Sequence, residues 1–305
     1  MLQIEQLNWK RAGGAAFLGL IGAFLIFLAE SSQIKVALYF SNLPIFIAYL
    51  VYGRESGGVS AVVLAIMLFL IAPLEVSCDV LLSTIAPAAV LGHLSVKSIT
   101  QGRKTWWYPE TFLLQNFILL YFFVLIFLSI VSYPEDYCAR ITQRMLKKLC
   151  PQDGPNTIFM RQYLFASYQY TVGMLTLYKM IITLLIFALV HRVTKMVKKN
   201  IRPSFDLKHL TIHYSIAIFP LIFLTLGKIF HGLSFICSGL FLVGLFAPAV
   251  SGFSVIYRLA GGKVRTLLVF HISLLVVTVP TIVIVILIGV IDSFRSSSEL
   301  GAPLR

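Results

Sequence analysis

Two carboxylates four residues apart, Glu75 and Asp79 in the run PLEVSCD, are the pair best placed in this chain to do chemistry. A helical turn there sets both on one face, where they can converge on a cation or on a ligand amine whose positive charge relieves their mutual repulsion. A charge this close to hydrocarbon marks a lined cavity, an ion pair, a snorkelled end or a hydrophilic turn. Pro73 just upstream favours a helix break, so the pair is expected to face a polar vestibule on the outer side. Asn42 and Asn116 are the other polar side chains expected to line a small-molecule cavity, completing a candidate binding set of Asn42, Glu75, Asp79 and Asn116. Lys179 and Lys228 each lie near the end of an apolar run, either one turn inside the membrane or snorkelled outward.

Other chemistries find less to work with. His209 and His213 stand four apart in HLTIH, but the glutamate between the histidines of a zinc metalloprotease motif is missing, and a headgroup boundary is the simpler place for both. The cysteines, Cys78, Cys138, Cys150 and Cys237, form no CxxC pair. Cys138 and Cys150 flank a helical pattern whose twelve-residue rise of about 18 Å is beyond disulfide reach, so free thiols are expected. GGKVR at 261–265 lacks both the earlier glycine and the hydroxyl residue of a phosphate loop. With no clustered nucleophile, base or metal set, the expectation is a protein that is not an enzyme and carries no cofactor or metal.

The elements that position these residues follow from composition. Hydrophobic residues make up 58% and charged residues 12% of 305, too little polar surface for a water-soluble globule. Nine apolar runs recur, at about 12–29, 36–52, 59–74, 80–96, 111–131, 172–190, 212–226, 233–257 and 266–291, each near the roughly 20 residues that cross a bilayer. Continuous Leu, Ile and Phe runs lack the alternation of barrel strands, and lipid leaves only helices and closed barrels to satisfy the backbone. The expected fold is therefore all-α, one polytopic membrane domain over residues 1–305 with eight or nine spans. The runs on either side of Glu75 and Asp79, and those on either side of Lys228 and His231, are also compatible with broken or re-entrant elements.

The net charge of +13 raises nucleic-acid binding, but lysines and arginines fall mainly in short connections, where they hold one side of the membrane and meet anionic headgroups. No nucleic-acid role is expected. Basic residues around Lys10, Arg54, Arg103, Arg192 and Arg258 set the N-terminus inside, with Trp9, Trp106 and Trp107 as interfacial anchors on that side. The first apolar run lacks a convincing cleavage site and is expected to stay as an anchor. The connection 132–171 is the exception in length and charge, and its centre CARITQRMLKKLC patterns as an amphipathic helix lying in an interface.

Four segments, RKTWWYPETFLL, NIRPSFDLKHL, SGFSVIYRLAGGKVRTLLVF and IGVIDSFR, together resemble the alphaproteobacterial type of a predicted membrane-protein family named after YybS, across nearly the whole chain. SNLPIFIAYLVYGRESGGVSAVV is in addition distantly similar to the early helices of the substrate-binding S components of energy-coupling-factor vitamin transporters. The resemblance implies a bacterial inner membrane and a helical architecture, but no reaction. The chain departs from an S component in having more candidate spans, a long basic insertion and no evident vitamin signature. The functional expectation is a transport-associated subunit that accommodates a small molecule among its helices. The alternative is a non-transporting scaffold that gathers membrane-protein partners for the envelope or for cell shape.

Overall fold

A computed structural model describes residues 9–31, 35–101, 104–132, 143, 170–197, 210, 212–261, 268–270, 272 and 278–300. Helix dominates, as a chain in hydrocarbon requires when every amide must be bonded internally. Among the described residues six helical segments are long and apolar enough to cross a bilayer: Trp9–Ala29, Arg54–Ile71, Leu74–Ser95, Glu110–Val131, Thr171–Met196 and His231–Ala260. Large apolar side chains remain exposed along them, among them Phe17, Phe24, Phe123, Leu185 and Met196. In water such a surface is an aggregation hazard; against lipid tails it is neutral. The chain is a helical membrane protein.

The segments fall into two compact units. The first holds residues 1–113 and 178–205. Its elements are α1 (Trp9–Ser31), α2 (Lys35–Phe40), α3 (Asn42–Ile47, running on as a wide π-type turn over Ala48–Tyr52), α4 (Arg54–Ile71), α5 (Leu74–Val80), α6 (Ala86–Ser95), strands β1 (Ser98–Gln101) and β2 (Lys104–Trp107), and the later part of a long helix, here α8 (Thr171–Val197). The second holds 114–177 and 206–305, with most of α7 (Glu110–Phe127), the first turns of α8, α9 (Tyr214–Ile229), α10 (Ser234–Gly244), α11 (Phe246–Ala260) and α12 (Thr278–Leu300).

The expected spans depart from regular helix for readable reasons. The run 36–52 breaks at Ser41, because Pro44 has no amide to give the carbonyl of Phe40 and instead enters the first turn of α3. Asn42–Tyr52 is then an apolar helix shorter than a bilayer-crossing one. The run 59–74 ends where Ala72 turns extended (φ −109°, ψ 154°) before Pro73, as a pre-proline residue must. Ser77 closes that corner by donating to the carbonyls of Leu68 and Ala72, both at 3.2 Å. Leu74–Ser95 continues as one helical segment through a π-type turn at Leu81–Ile85. Its cause lies one turn on: Pro87 cannot bond the carbonyl of Ser83 and crowds it, so the helix widens there.

The all-α fold class holds, with one short non-helical element. Between α6 and α7 the chain forms an antiparallel hairpin with Ser98 opposite Trp107 and Gln101 opposite Lys104. SITQ and KTWW are rich in the β-branched and aromatic residues that pleat well. Lys97 lies 4.7 Å from the centre of the Tyr108 ring at the base of this hairpin. His209, residues 266–267, 271 and 273–277 of the last run, and the interfacial helix expected at 138–149 apart from Gln143 lie outside the described residues.

Close helix approach depends on small side chains in both units. In the first, a Cβ on Gly19 would come within 2.7 Å of the Ser60 carbonyl, so α1 and α4 pack backbone to backbone. The Tyr49 ring is clamped between Gly57 of α4 and Gly92 of α6. In the second, Gly252 of α11 abuts the Val285 carbonyl of α12, and Gly289 abuts the carbonyl of Pro248. Arg258 and Asp292 close the same pair of helices by an ion pair at 2.6 Å, and Ser251 donates to the same carboxylate at 3.4 Å. Next to them α9 and α10 form a hairpin whose helices meet at Gly227 against Cys237 and at Gly244 against Pro220.

Candidate functional site

The polar centre of the first unit is built on three helices, and its focus is Lys179. With a rise of 1.5 Å per residue, eight residues place Lys179 about 12 Å along α8 from its start, well within a segment long enough to span the membrane. Only 10% of its side chain is exposed, against 19% for Asp79. The ammonium donates to Asp79 Oδ1 at 2.9 Å, to Asp79 Oδ2 at 3.2 Å and to Ser83 Oγ at 2.8 Å. Three contacts match the three protons of an ammonium.

Ser83, in the π-type turn, stands four residues after Asp79 and joins this set. Ser83 accepts from Lys179 while donating to the carbonyl of Asp79 at 2.6 Å, so the hydroxyl orients the residue that carries the charge. One turn further along α8, Thr183 donates to the carbonyl of Lys179 at 2.8 Å and accepts from Asn42 Nδ2 at 3.3 Å. Asn42, Ser83 and Thr183 are all buried, with Asn42 only 1% exposed. The amide oxygen of Asn42 is buried and has no hydrogen-bond partner among the described residues. An acceptor left unanswered in an apolar interior costs about 1–3 kcal/mol, so a donor at that position is strongly favoured.

The four expected binding residues are distributed unevenly. Asn42 and Asp79 join one network through Thr183 and Lys179. Glu75 is exposed on the first turn of α5, and Asn116 belongs to the other unit. The positive charge expected at Asp79 is present, but it comes from the chain's own Lys179. Sequence reasoning left Lys179 as an ambiguous end charge and passed over Ser83 and Thr183. The missed signal was periodic: Thr176, Lys179 and Thr183 repeat at helical spacing, as do Asp79 and Ser83, and a polar stripe along an apolar helix points inward.

Two further features bear on the chemistry. A cleft of about 520 Å³ runs along the first unit between α3 and α8, lined by Leu43, Ile47, Val51, Leu189, Val190, Val193 and Thr194. It is apolar apart from the Thr194 hydroxyl, which donates to the Val190 carbonyl at 2.7 Å. His213, half of the HLTIH pair, serves as the N-cap of α9, its ring nitrogen accepting from the Ser215 amide at 3.3 Å. Among the described residues no three His, Cys, Asp or Glu side chains gather as a metal set.

Fold and site together define a polytopic helical membrane protein with a lysine–aspartate pair inside its apolar helices. Comparison with models of known protein families, with curated proteins and with solved structures finds no match.

Proposed function

We propose that the chain is a transport-associated subunit of the bacterial inner membrane that accommodates a small polar molecule in its first unit, and this reading includes the YybS-like kinship read from its motifs. The observation that supports it is the unanswered amide oxygen of Asn42, buried one hydrogen bond from Thr183 and one helical turn from the Lys179–Asp79 pair. Ionisable and amide groups inside apolar helices are costly, and in membrane proteins they mark solute or ion paths more often than structure alone. The pair holds α5 and α8 at fixed spacing; Asn42 supplies the acceptor that a hydroxyl or amine of the solute meets. No catalytic role is assigned to any of these groups.

The apolar cleft supports a second reading, a scaffold whose partner lays an apolar helix between α3 and α8. One experiment separates the two. The protein is purified in mild detergent, and co-purifying small molecules and proteins are identified by mass spectrometry for wild type, Asn42→Leu and Val193→Trp. A small molecule that stays with the wild type and Val193→Trp but leaves Asn42→Leu supports transport. A protein partner lost only from Val193→Trp, with no bound solute in any sample, sinks the transport reading and favours the scaffold.

Orientation is part of the proposal. Glu75 stands at one end of the segment Leu74–Ser95 and Lys97 just past the other, about 30 Å away along a helix of that length. In a cysteine-free background, cysteine at position 75 is expected to react with an impermeant maleimide from outside the cell. Cysteine at position 97 should react only after the membrane is opened. The reverse pattern would invert the assignment of sides.

A further inference from the structure

We propose that the cleft at the tip of the α9–α10 hairpin, in the second unit, is a binding site for a phosphate group. Tyr170, Phe223, Leu224, Gly227, Lys228, Ser234, Ser238 and Phe241 line a space of about 210 Å³. The last two turns of α9 supply one wall and the first two turns of α10 the other, joined by the tight turn His231–Leu233. The close passage of the helices at Gly227 against Cys237, 3.0 Å from an added Cβ, fixes the width of the floor.

Its chemistry is one-sided. Lys228 brings a full positive charge, Ser234, Ser238 and Tyr170 bring hydroxyls that can donate, and no carboxylate is among the described lining residues. Elsewhere in the described residues Lys179 is matched to Asp79 and Arg258 to Asp292. Lys228 has no such counterpart among the described residues. A neutral solute gains little from that ammonium, and a cation is repelled by it. An oxyanion meets one charge-assisted bond from lysine and further bonds from three hydroxyls. Phosphate suits the set better than a planar carboxylate, because three or four tetrahedral oxygens can each take a separate donor, and lysine binds phosphate as a point charge. Phe223, Leu224 and Phe241 then exclude water from one side of the anion and strengthen those bonds. They also offer apolar contact to carbon attached to it.

A phosphate group can come from a lipid headgroup or from the water phase, and the test keeps the two apart. Protein in neutral detergent is dialysed against radiolabelled inorganic phosphate; in parallel it is equilibrated with micelles containing phosphatidylglycerol or phosphatidylcholine, and retained lipid is counted by native mass spectrometry. The expectation is saturable binding in at least one arm, with phosphatidylglycerol retained over phosphatidylcholine if the source is lipid. Binding should fall at least tenfold in Lys228→Gln and in the double variant Ser234→Ala with Ser238→Ala, and survive in Lys228→Arg and in the control Arg192→Gln. Lys228 is exposed, so folding is expected to persist in its variants, with helical circular dichroism as the check. The proposal is overturned if neither probe binds saturably. It is equally overturned if Arg192→Gln weakens binding as much as Lys228→Gln, or if the serine variant binds undiminished, since either result reduces the effect to surface charge.

Discussion

Replacing Asp79 by leucine, with Lys179 left in place, is expected to destabilise the protein by about 3–5 kcal/mol, the usual loss when one partner of a buried ion pair is removed. The reason is the position of the ammonium. It is 10% exposed on a helix surrounded by apolar side chains, and with Asp79 gone only Ser83 remains as an acceptor among the described residues. Lys179→Met should cost less than Asp79→Leu, because the residual 19% exposure of the carboxylate lets water reach it. The double variant is expected to recover most of the loss, since well-packed apolar replacements of buried pairs are often neutral or better. Unfolding in mixed micelles, run as a double-mutant cycle, measures the coupling. Additive single effects would show that the two residues do not hold each other in the folded protein.

The second large effect is expected at the crossing of α11 and α12. A Cβ on Gly289 would collide with the Pro248 carbonyl, and one on Gly252 with the Val285 carbonyl, so no rotamer change relieves either clash. The backbones must separate, and the Arg258–Asp292 bond at 2.6 Å separates with them. Gly289→Val is therefore expected to cost at least about 3 kcal/mol, at or beyond the upper end for overpacking in a well-filled core. Gly58 is the internal control: on α4, a Cβ there meets nothing within 4 Å. Gly58→Ala should change stability by no more than about 1 kcal/mol, since a backbone change at a compatible position acts mainly through the unfolded chain. Equal losses for Gly289→Val and Gly58→Ala would mean that α11 and α12 do not pack through their glycines.

Much of this protein was set by local chemistry that needs no neighbours. The proportion and length of the apolar runs determined lipid as the solvent and helix as its consequence, and six of the runs are long enough in the structure to cross a bilayer. Pro73 ended one helix and started the next, as its missing amide requires. Glu75 and Asp79 could be singled out because charge beside hydrocarbon is costly wherever it occurs. Hydropathy could not show that the run 36–52 breaks at Ser41, because a window average hides the one residue, Pro44, that interrupts the hydrogen bonds. Nor could it show the hairpin at Ser98–Trp107, whose short β-prone segments carry no period long enough to register.

The candidate site was decided by tertiary structure. Asp79 and Lys179 are 100 residues apart, Asn42 and Thr183 are 141 apart, and no spacing rule along the chain pairs such positions. Asn42 was chosen for its polarity, but whether its amide oxygen has a partner depends on what two other helices place against it. Glu75 and Asp79 share a helix and differ in fate, one exposed and one bound to lysine, because α8 passes only the second. Sequence determines which groups are expensive to bury, since that cost belongs to the group and its solvent. Which partner offsets the cost is a matter of geometry between distant segments, and that is settled only when the helices pack.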